Sequence, residues 1–297
     1  MKICSNAHTH TTFCDGKSTP EEQVLSAISK GFVSLGITGH AFTAFDLSYC
    51  MKLEEYPAYL GELERLKKLY GDRLDLVIGM EQDLYRVISP VDFQLPPSAS
   101  KEELPIRYRI ASVHYIRDEQ NDRYYEVDLS ADELEACKNE MFGGDGLKMA
   151  ERFYQESVRN AFEGQGDILG HFDLIRKLND GGRFFDEDSP EYQRIALSAL
   201  EEAVKAGIPF EVNTAGYRNG KKNQPYLTIW MLRKLAELKA PVIINSDCHV
   251  ADQLDFQFDR AVELLRELGF KSVLRLQGKG PLFEECPLDE RLEPGKK

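Results

Sequence analysis

The 297-residue chain has no apolar run near the roughly 18 residues that a membrane-spanning helix needs. It has no Cys-x-x-Cys pair: the six cysteines, at 4, 14, 50, 137, 248 and 286, follow no regular spacing. In a chain of this length that argues against a disulfide framework. Residues 1–6 run straight into a histidine pair, which leaves no room for a cleaved leader. Together these absences predict a reduced, cytoplasmic protein that does not enter a membrane. Positive charge is also short, with 37 Lys and Arg against 50 Asp and Glu, a net −13. That balance argues against non-specific binding to nucleic acid or to an anionic membrane. It leaves a small anionic ligand open, because metal ions and a few arginines reverse a local field. Internal repeats and low-complexity stretches are absent. What remains is an ordinary globular composition, 42% hydrophobic and 29% charged, enough for a large core.

Short apolar runs alternate with longer amphipathic stretches. Strands are predicted at 2–7, 34–38, 75–79, 109–113, 167–170, 209–213, 242–245 and 272–276. Thr19-Pro20-Glu21-Glu22 has the form of a helix start and leads into Val24, Leu25 and Ile28 on one face. Tyr59, Leu63, Leu66 and Leu69 keep helical spacing, as do Ile195, Leu200 and Val204, and Trp230, Leu232, Leu235 and Leu238. Strands alternating with helices imply parallel β/α units. Their number, seven or eight, predicts a closed barrel in a single domain over 1–297, an α/β fold of the TIM-like (β/α) barrel type. An open doubly wound sheet would gather function at one switch point, which fits poorly with histidines after at least five strands. The proline-rich stretch 85–105 and the acidic stretch 118–146 break the rhythm and are predicted as loop insertions over the barrel mouth. The charged tail 288–297 is expected to fray.

All six histidines stand in short motifs: Asn6-Ala7-His8-Thr9-His10, Thr38-Gly39-His40, Ser112-Val113-His114-Tyr115, Leu169-Gly170-His171-Phe172 and Ser246-Asp247-Cys248-His249. Four of the five follow an apolar run and the first follows a short N-terminal run, and imidazole is the commonest side chain to bind a transition metal at neutral pH. Positions i and i+2 of a strand face one way, so His8 and His10 reach one ion; Asp247 and His249 are again i and i+2 after an apolar strand. Cys248 then points away and reads as a buried, non-ligating thiol. Asp15 lies in the turn after His10. Glu81 follows the run Val77-Ile78-Gly79-Met80, and a carboxylate at a strand end has two oxygens with which to bridge two cations. Imidazoles and carboxylates at strand ends point to a multinuclear centre that does hydrolytic chemistry.

The order His-x-His, Asp, His, Glu, His, His, Asp-x-His, running from His8 to His249, resembles the PHP (polymerase and histidinol phosphatase) superfamily. The resemblance implies a distorted seven-stranded barrel and a trinuclear site, with two to three divalent ions of Zn, Mn or Fe. One ion would be held by His8, His10, Glu81 and Asp247, a second by Asp15, His40 and His249, and a third by Glu81, His114 and His171. Asp15 stands where many members carry histidine, which makes the second position harder and more tolerant of manganese or iron. Within the superfamily the chain looks most like the monofunctional histidinol phosphatases, through 6–16, 170–176 and 211–216. That implies hydrolysis of L-histidinol phosphate to L-histidinol and phosphate, a step of histidine biosynthesis.

Phosphate transfer also requires cationic donors for the phosphoryl oxygens. Arg176, five residues after His171, and Arg218, five after Asn213, are the candidates, with Arg117 a weaker third. Asp247 and His249 are candidate proton donors to the leaving alkoxide, although metal ligands make poor acids. The amine and imidazole of such a substrate call for acidic or aromatic partners, and Phe42, Tyr115, Asp173 and Tyr217 adjoin the motifs. Three rival readings stand beside this one: a PHP enzyme for another small phosphomonoester or a nucleotide, an amidohydrolase-like C–N hydrolase, and a non-catalytic metal-binding module.

Overall fold

The structure, a computed structural model, describes residues 3–85, 106–218 and 223–288. Its strands are β1 (Ser5–Asn6), β2 (Ser34–Ile37), β3 (Asp75–Asp83), β4 (Tyr108–Ser112), β5 (Tyr115–Asp118), β6 (Arg123–Glu126), β7 (Ile168–Leu169), β8 (Phe210–Asn213), β9 (Val242–Asn245), β10 (Ser272–Leu276) and β11 (Phe283–Pro287). β1, β2, β3, β4, β7, β8, β9 and β10 lie side by side, each parallel to the next. β11 ends the row antiparallel to β10. The two sides of the row meet beyond β1 and β9, where Thr9 bridges Cys248 and the His10 N–H donates to the Cys248 carbonyl at 2.9 Å. Beneath that seam β10 touches β1 and β2, and Ser34 Oγ donates to the Leu276 carbonyl at 2.6 Å. The fold is a distorted α/β barrel of the TIM-like type. The eight expected parallel strands are all present, 272–276 as β10, and β11 is added antiparallel beyond it.

Strands buried on both faces read as continuous apolar runs, and Val242–Asn245 is buried throughout. The barrel interior is a small cluster of Ala7, Val77, Tyr108, Ile110, Ile168, Ile243 and Leu276. Tyr108 fits across it because Gly36 and Gly79 carry no Cβ. One placed on Gly36 would come within 1.8 Å of the Tyr108 hydroxyl, which donates to the Ala7 carbonyl at 2.6 Å. The outer strand faces pack under α1 (Pro20–Ser29), α2 (Tyr56–Tyr70), α3 (Ala131–Phe142), α4 (Gly146–Glu163), α5 (Pro190–Val204), α6 (Ile229–Leu238) and α7 (Phe258–Glu267). α1 opens as its sequence predicts, Thr19 and Glu22 forming a reciprocal capping box. On α2 the buried face runs through Tyr59, Leu63 and Leu66 and then drifts to Tyr70, which leaves Leu69 53% exposed.

The stretch 118–146 is not a loop. It is the end of a β5–β6 hairpin, then α3 and the start of α4. Ser130 caps α3 through the Glu133 N–H, and Gly143 ends it in the left-handed region. Most of the 85–105 insertion and of the tail lies outside the described residues. No helix among the described residues is long and apolar enough to cross a membrane.

Candidate metal centre

Parallel strands place their C-terminal ends on one side of the barrel, and every predicted ligand emerges there. His8 and His10 follow β1, His40 follows β2, His114 follows β4, His171 follows β7, and Asp247 and His249 follow β9. Glu81 lies within β3, which runs on to Asp83 instead of stopping at Gly79. Asp247 adopts a left-handed backbone, φ 49°, costly for a residue with a Cβ and characteristic of functional turns.

The side chains meet around Glu81. Its Oε2 lies 3.1 Å from His8 Nε2, 3.3 Å from His10 Nε2 and 3.1 Å from His40 Nδ1. Its Oε1 lies 2.9 Å from His171 Nε2 and 3.5 Å from His114 Nε2. The two oxygens thus face different sets of imidazoles. Asp247 Oδ1 joins the first set, 3.2 Å from His10 Nε2 and 3.7 Å from His8 Nε2. A third group forms at Asp15, whose carboxylate is 3.0 Å from His249 Nε2, 3.6 Å from His10 Nδ1 and 3.8 Å from His40 Nε2. Nitrogen and oxygen ligands about 2.0–2.1 Å from one zinc ion stand roughly 3.3 Å apart at the edges of a tetrahedron, so the spacings fit shared cations. His8 Nε2 and His10 Nε2 are buried and make no hydrogen bond, although carboxylate oxygens lie close by. That is the posture of ligand atoms, and the donor set fits divalent transition metals.

The electrostatics agree. Burial opposes charge on His8, yet the carboxylates of Glu211, Glu81 and Asp247 raise its pKa well above the ordinary imidazole value. Burial likewise opposes charge on His114, but the Asp83 hydrogen bond and Glu81 lift it to about 10. His40 goes the other way, down to about 3, through burial and the neighbouring His10 and His114. Glu81 is held well below the carboxylate range by His40 and His8 despite its burial. This much buried negative charge calls for cations, and a divalent ion bound here would take the place of the protons.

Two buried acids outside the cluster aim the ligands, and the sequence reading missed both. Glu211 Oε1 lies 2.6 Å from His8 Nδ1, and its other oxygen accepts the His171 N–H at 2.9 Å. Asp83 Oδ2 accepts the His114 backbone N–H at 2.8 Å and lies 3.0 Å from Nδ1 of the same residue. Such partners fix which ring nitrogen is free for a metal. The available signals were a glutamate inside the buried run Phe210–Asn213 and an aspartate two positions beyond Glu81.

The cluster floors a cleft of about 370 Å³. Arg218 is on its wall, exposed, with guanidinium N–H groups donating to the Asp247 and Ser246 carbonyls at 3.1 and 3.2 Å. Arg176 is not. Its side chain is 2% exposed and donates to Asp173 at 2.7 Å and Glu187 at 2.6 Å, so its charge is spent inside the fold. The 3-10 turn Leu174–Arg176 sends Arg176 inward, and the next residue, Lys177, is the one that lines the cleft. Phe42 and Tyr115 are also off its walls. Phe42 packs on the core, and the Tyr115 hydroxyl donates to Asp46 at 3.0 Å. Arg117 pairs with Asp122 at 3.0 Å, and Tyr217 sits 4.3 Å under Arg260. Cys248 is fully buried against Gln23 and the Val250 carbonyl.

Imidazoles and carboxylates converging at the C-terminal ends of barrel strands, with a cation-lined cleft above, define a metal-dependent hydrolase centre. The chain belongs to the PHP domain family, which matches residues 6–215; Asp247 and His249 lie beyond that match. A Deinococcus radiodurans protein named probable histidinol-phosphatase is 28% identical over 285 residues, 90% of this chain and 95% of that one. A Listeria monocytogenes structure, provisionally named a histidinol phosphatase, superposes with a TM-score of 0.71 at 22% identity, over 86% of this chain and 99% of the other. The Lactococcus lactis histidinol phosphate phosphatase, solved with zinc, L-histidinol and phosphate, gives 0.67 at 19% identity, over 94% and 98%.

Proposed function

We propose that this chain is a metal-dependent phosphomonoesterase that hydrolyses L-histidinol phosphate to L-histidinol and phosphate, a cytoplasmic step of histidine biosynthesis. The observation that carries the proposal is the division of Glu81 between two sets of imidazoles beneath a cleft that Arg218 and Lys177 line. The names of the relatives agree with it.

In this reading His8, His10, Glu81 and Asp247 hold one ion, Asp15, His40 and His249 a second, and Glu81, His114 and His171 a third. Divalent ions in these positions supply an activated water at neutral pH and neutralise the phosphoryl oxygens. The residues of the chain do the rest. Glu211 and Asp83 keep His8 and His114 turned toward the centre. Arg218 offers planar, charge-assisted N–H donors to the phosphate, and Lys177, held by Asp128 at 2.7 Å, adds a second cation on the wall. Asp247 is enclosed by His8 and His10, a ligand's position and not an acid's. His249, with a side chain 30% exposed and 3.0 Å from Asp15, is likewise in a ligand's position.

The test is a set of kinetic constants for L-histidinol phosphate against a panel of other phosphomonoesters and nucleotides, with and without added manganese or zinc. L-Histidinol phosphate should give the highest kcat/KM. A preference for a different phosphomonoester, or C–N hydrolysis in place of phosphate release, would contradict the reading.

A further inference from the structure

A glutamate that serves two sets of imidazoles has to hold its carboxylate in one orientation, and its own torsions do not supply one. The last torsion of a glutamate side chain is broad, without a sharp staggered minimum. Glu81 nevertheless turns Oε1 to His171 and His114 and Oε2 to His8, His10 and His40. A hydroxyl lies against it. Ser112 ends β4, and its Oγ donates to Glu81 Oε1 at 2.6 Å. Ser112 is fully buried and is not on the wall of the cleft, so it does not meet the substrate.

The surroundings of Ser112 keep that hydroxyl in place. β3 and β4 pair with Glu81 opposite Ile110 and Asp83 opposite Ser112, which puts Ser112 one pleat beyond Glu81 on the same face. The Ser112 carbonyl accepts from Asn160 Nδ2 at 2.8 Å, so the strand end is tied to α4 outside it. The residue before His171 is Gly170, and a Cβ there would come within 2.5 Å of Ser112 Oγ. A side chain at 170 would therefore push the hydroxyl off Glu81, which explains the glycine of the Leu169-Gly170-His171 motif. Each carboxylate oxygen offers two lone pairs. Ser112 takes one of those on Oε1 and leaves the other on the side of His114 and His171.

We infer that Ser112 is the positioning residue of the bridging carboxylate: its hydroxyl fixes the plane of the Glu81 carboxylate and leaves Oε1 one open lone pair, for the cation that His114 and His171 would share with it. This rests on the metal-dependent reading and adds which of its ions relies on a residue that touches neither metal nor substrate. The cation on the Oε1 side has only His114 and His171 besides Glu81. The cation on the Oε2 side has His8, His10 and Asp247 as well, and the one at Asp15 does not use Glu81. Loss of the hydroxyl should therefore be felt first at the Oε1 side.

The experiment uses the full chain, stripped with chelator and reloaded with manganese. Elemental analysis counts the ions, and chelator competition gives the affinity of each. Wild type should take up about two to three ions per chain. In Ser112→Ala, with its fold checked by circular dichroism, the weakest-held ion should lose roughly 10–100-fold in affinity while the others stay within about threefold. Because the defect is one of occupancy, the manganese concentration for half-maximal phosphate release should rise by a similar factor, and kcat at saturating manganese should return to within about threefold of wild type. Ser112→Thr keeps the hydroxyl and should restore the affinity. Wild-type affinity for every ion in Ser112→Ala overturns the inference, as does an equal loss across all ions or a loss that folded Ser112→Thr shares. If Ser112→Thr does not fold against Gly170, rescue of Ser112→Ala by excess manganese decides alone. A wild type that holds its ions but releases no phosphate from L-histidinol phosphate removes the named substrate and leaves the inference standing, because metal uptake is measured apart from turnover. A wild type that binds one ion or none removes the multinuclear reading and the inference with it.

Discussion

Replacing Arg176 by methionine separates the structure from the expectation that two arginines clamp the phosphate. The Arg176 side chain is 2% exposed and Asp173 beneath it is fully buried. Asp173 Oδ2 accepts from Arg176 at 2.7 Å and from the Thr228 N–H at 3.0 Å, while its Oδ1 makes no hydrogen bond. Methionine fills similar space but leaves Asp173 uncompensated. Removing one partner of a buried pair costs about 3–5 kcal/mol. The lower end applies here, because burial already raises the Asp173 pKa and the acid escapes part of the penalty by taking up a proton. At about 2–4 °C per kcal/mol for a domain of roughly this size, Tm should fall by about 6–12 °C. The sign with pH follows. A carboxyl whose folded pKa is raised binds its proton more tightly in the folded state, so stability falls as pH rises through the carboxylate range. The deficit of the variant should be larger at neutral pH than at mildly acidic pH, and Asp173→Asn in the same chain should recover part of it. Because Arg176 is off the cleft, kcat/KM per folded molecule should stay within about threefold. Thermal unfolding followed by circular dichroism, beside steady-state kinetics below the transition, reads both quantities. A variant with wild-type Tm and a tenfold or greater loss of kcat/KM would refute the reasoning and return Arg176 to the substrate.

Arg218→Ala should do the reverse. It should lose about ten- to a hundredfold in kcat/KM with little change in Tm, bind inorganic phosphate more weakly and be rescued only partly by lysine, which lacks the planar fork. Glu81→Gln should abolish turnover and lower the metal content measured by elemental analysis, with the barrel still folded by circular dichroism, because one side chain serves two sets of imidazoles. Glu211→Gln keeps a hydrogen-bonding group beside His8 but loses the charge, and its metal affinity in chelator competition should fall roughly 10–100-fold.

The barrel was legible because its strands carry their own signal. Runs such as Val242-Ile243-Ile244 are buried on both faces, and each ligand motif sits just past such a run, where a parallel barrel collects its strand ends. The cluster of candidate ligands was legible for the same reason, since chain order fixes where each strand end falls around the ring. What failed depends on direction within a turn. Arg176 and Lys177 are neighbours after the same strand, and only the 3-10 turn at Leu174–Arg176 decides that the arginine goes under the sheet and the lysine into the cleft. The 118–146 stretch looked like a loop because its apolar residues are sparse. Its hairpin is held instead by backbone pairing with β5 and by Val127, which is buried. Glu211 was passed over because an acid within an apolar run looks like noise until His8, distant in sequence, is seen beside it.

Phosphate release should depend on cations held by the Glu81-centred cluster. Chelator-stripped protein should be titrated with manganese or zinc while phosphate release from L-histidinol phosphate and bound metal are followed together. Activity should be absent at the start and rise to saturation at about two to three ions per chain. Full activity in the stripped protein, or none in folded protein carrying its full complement of metal, would contradict it.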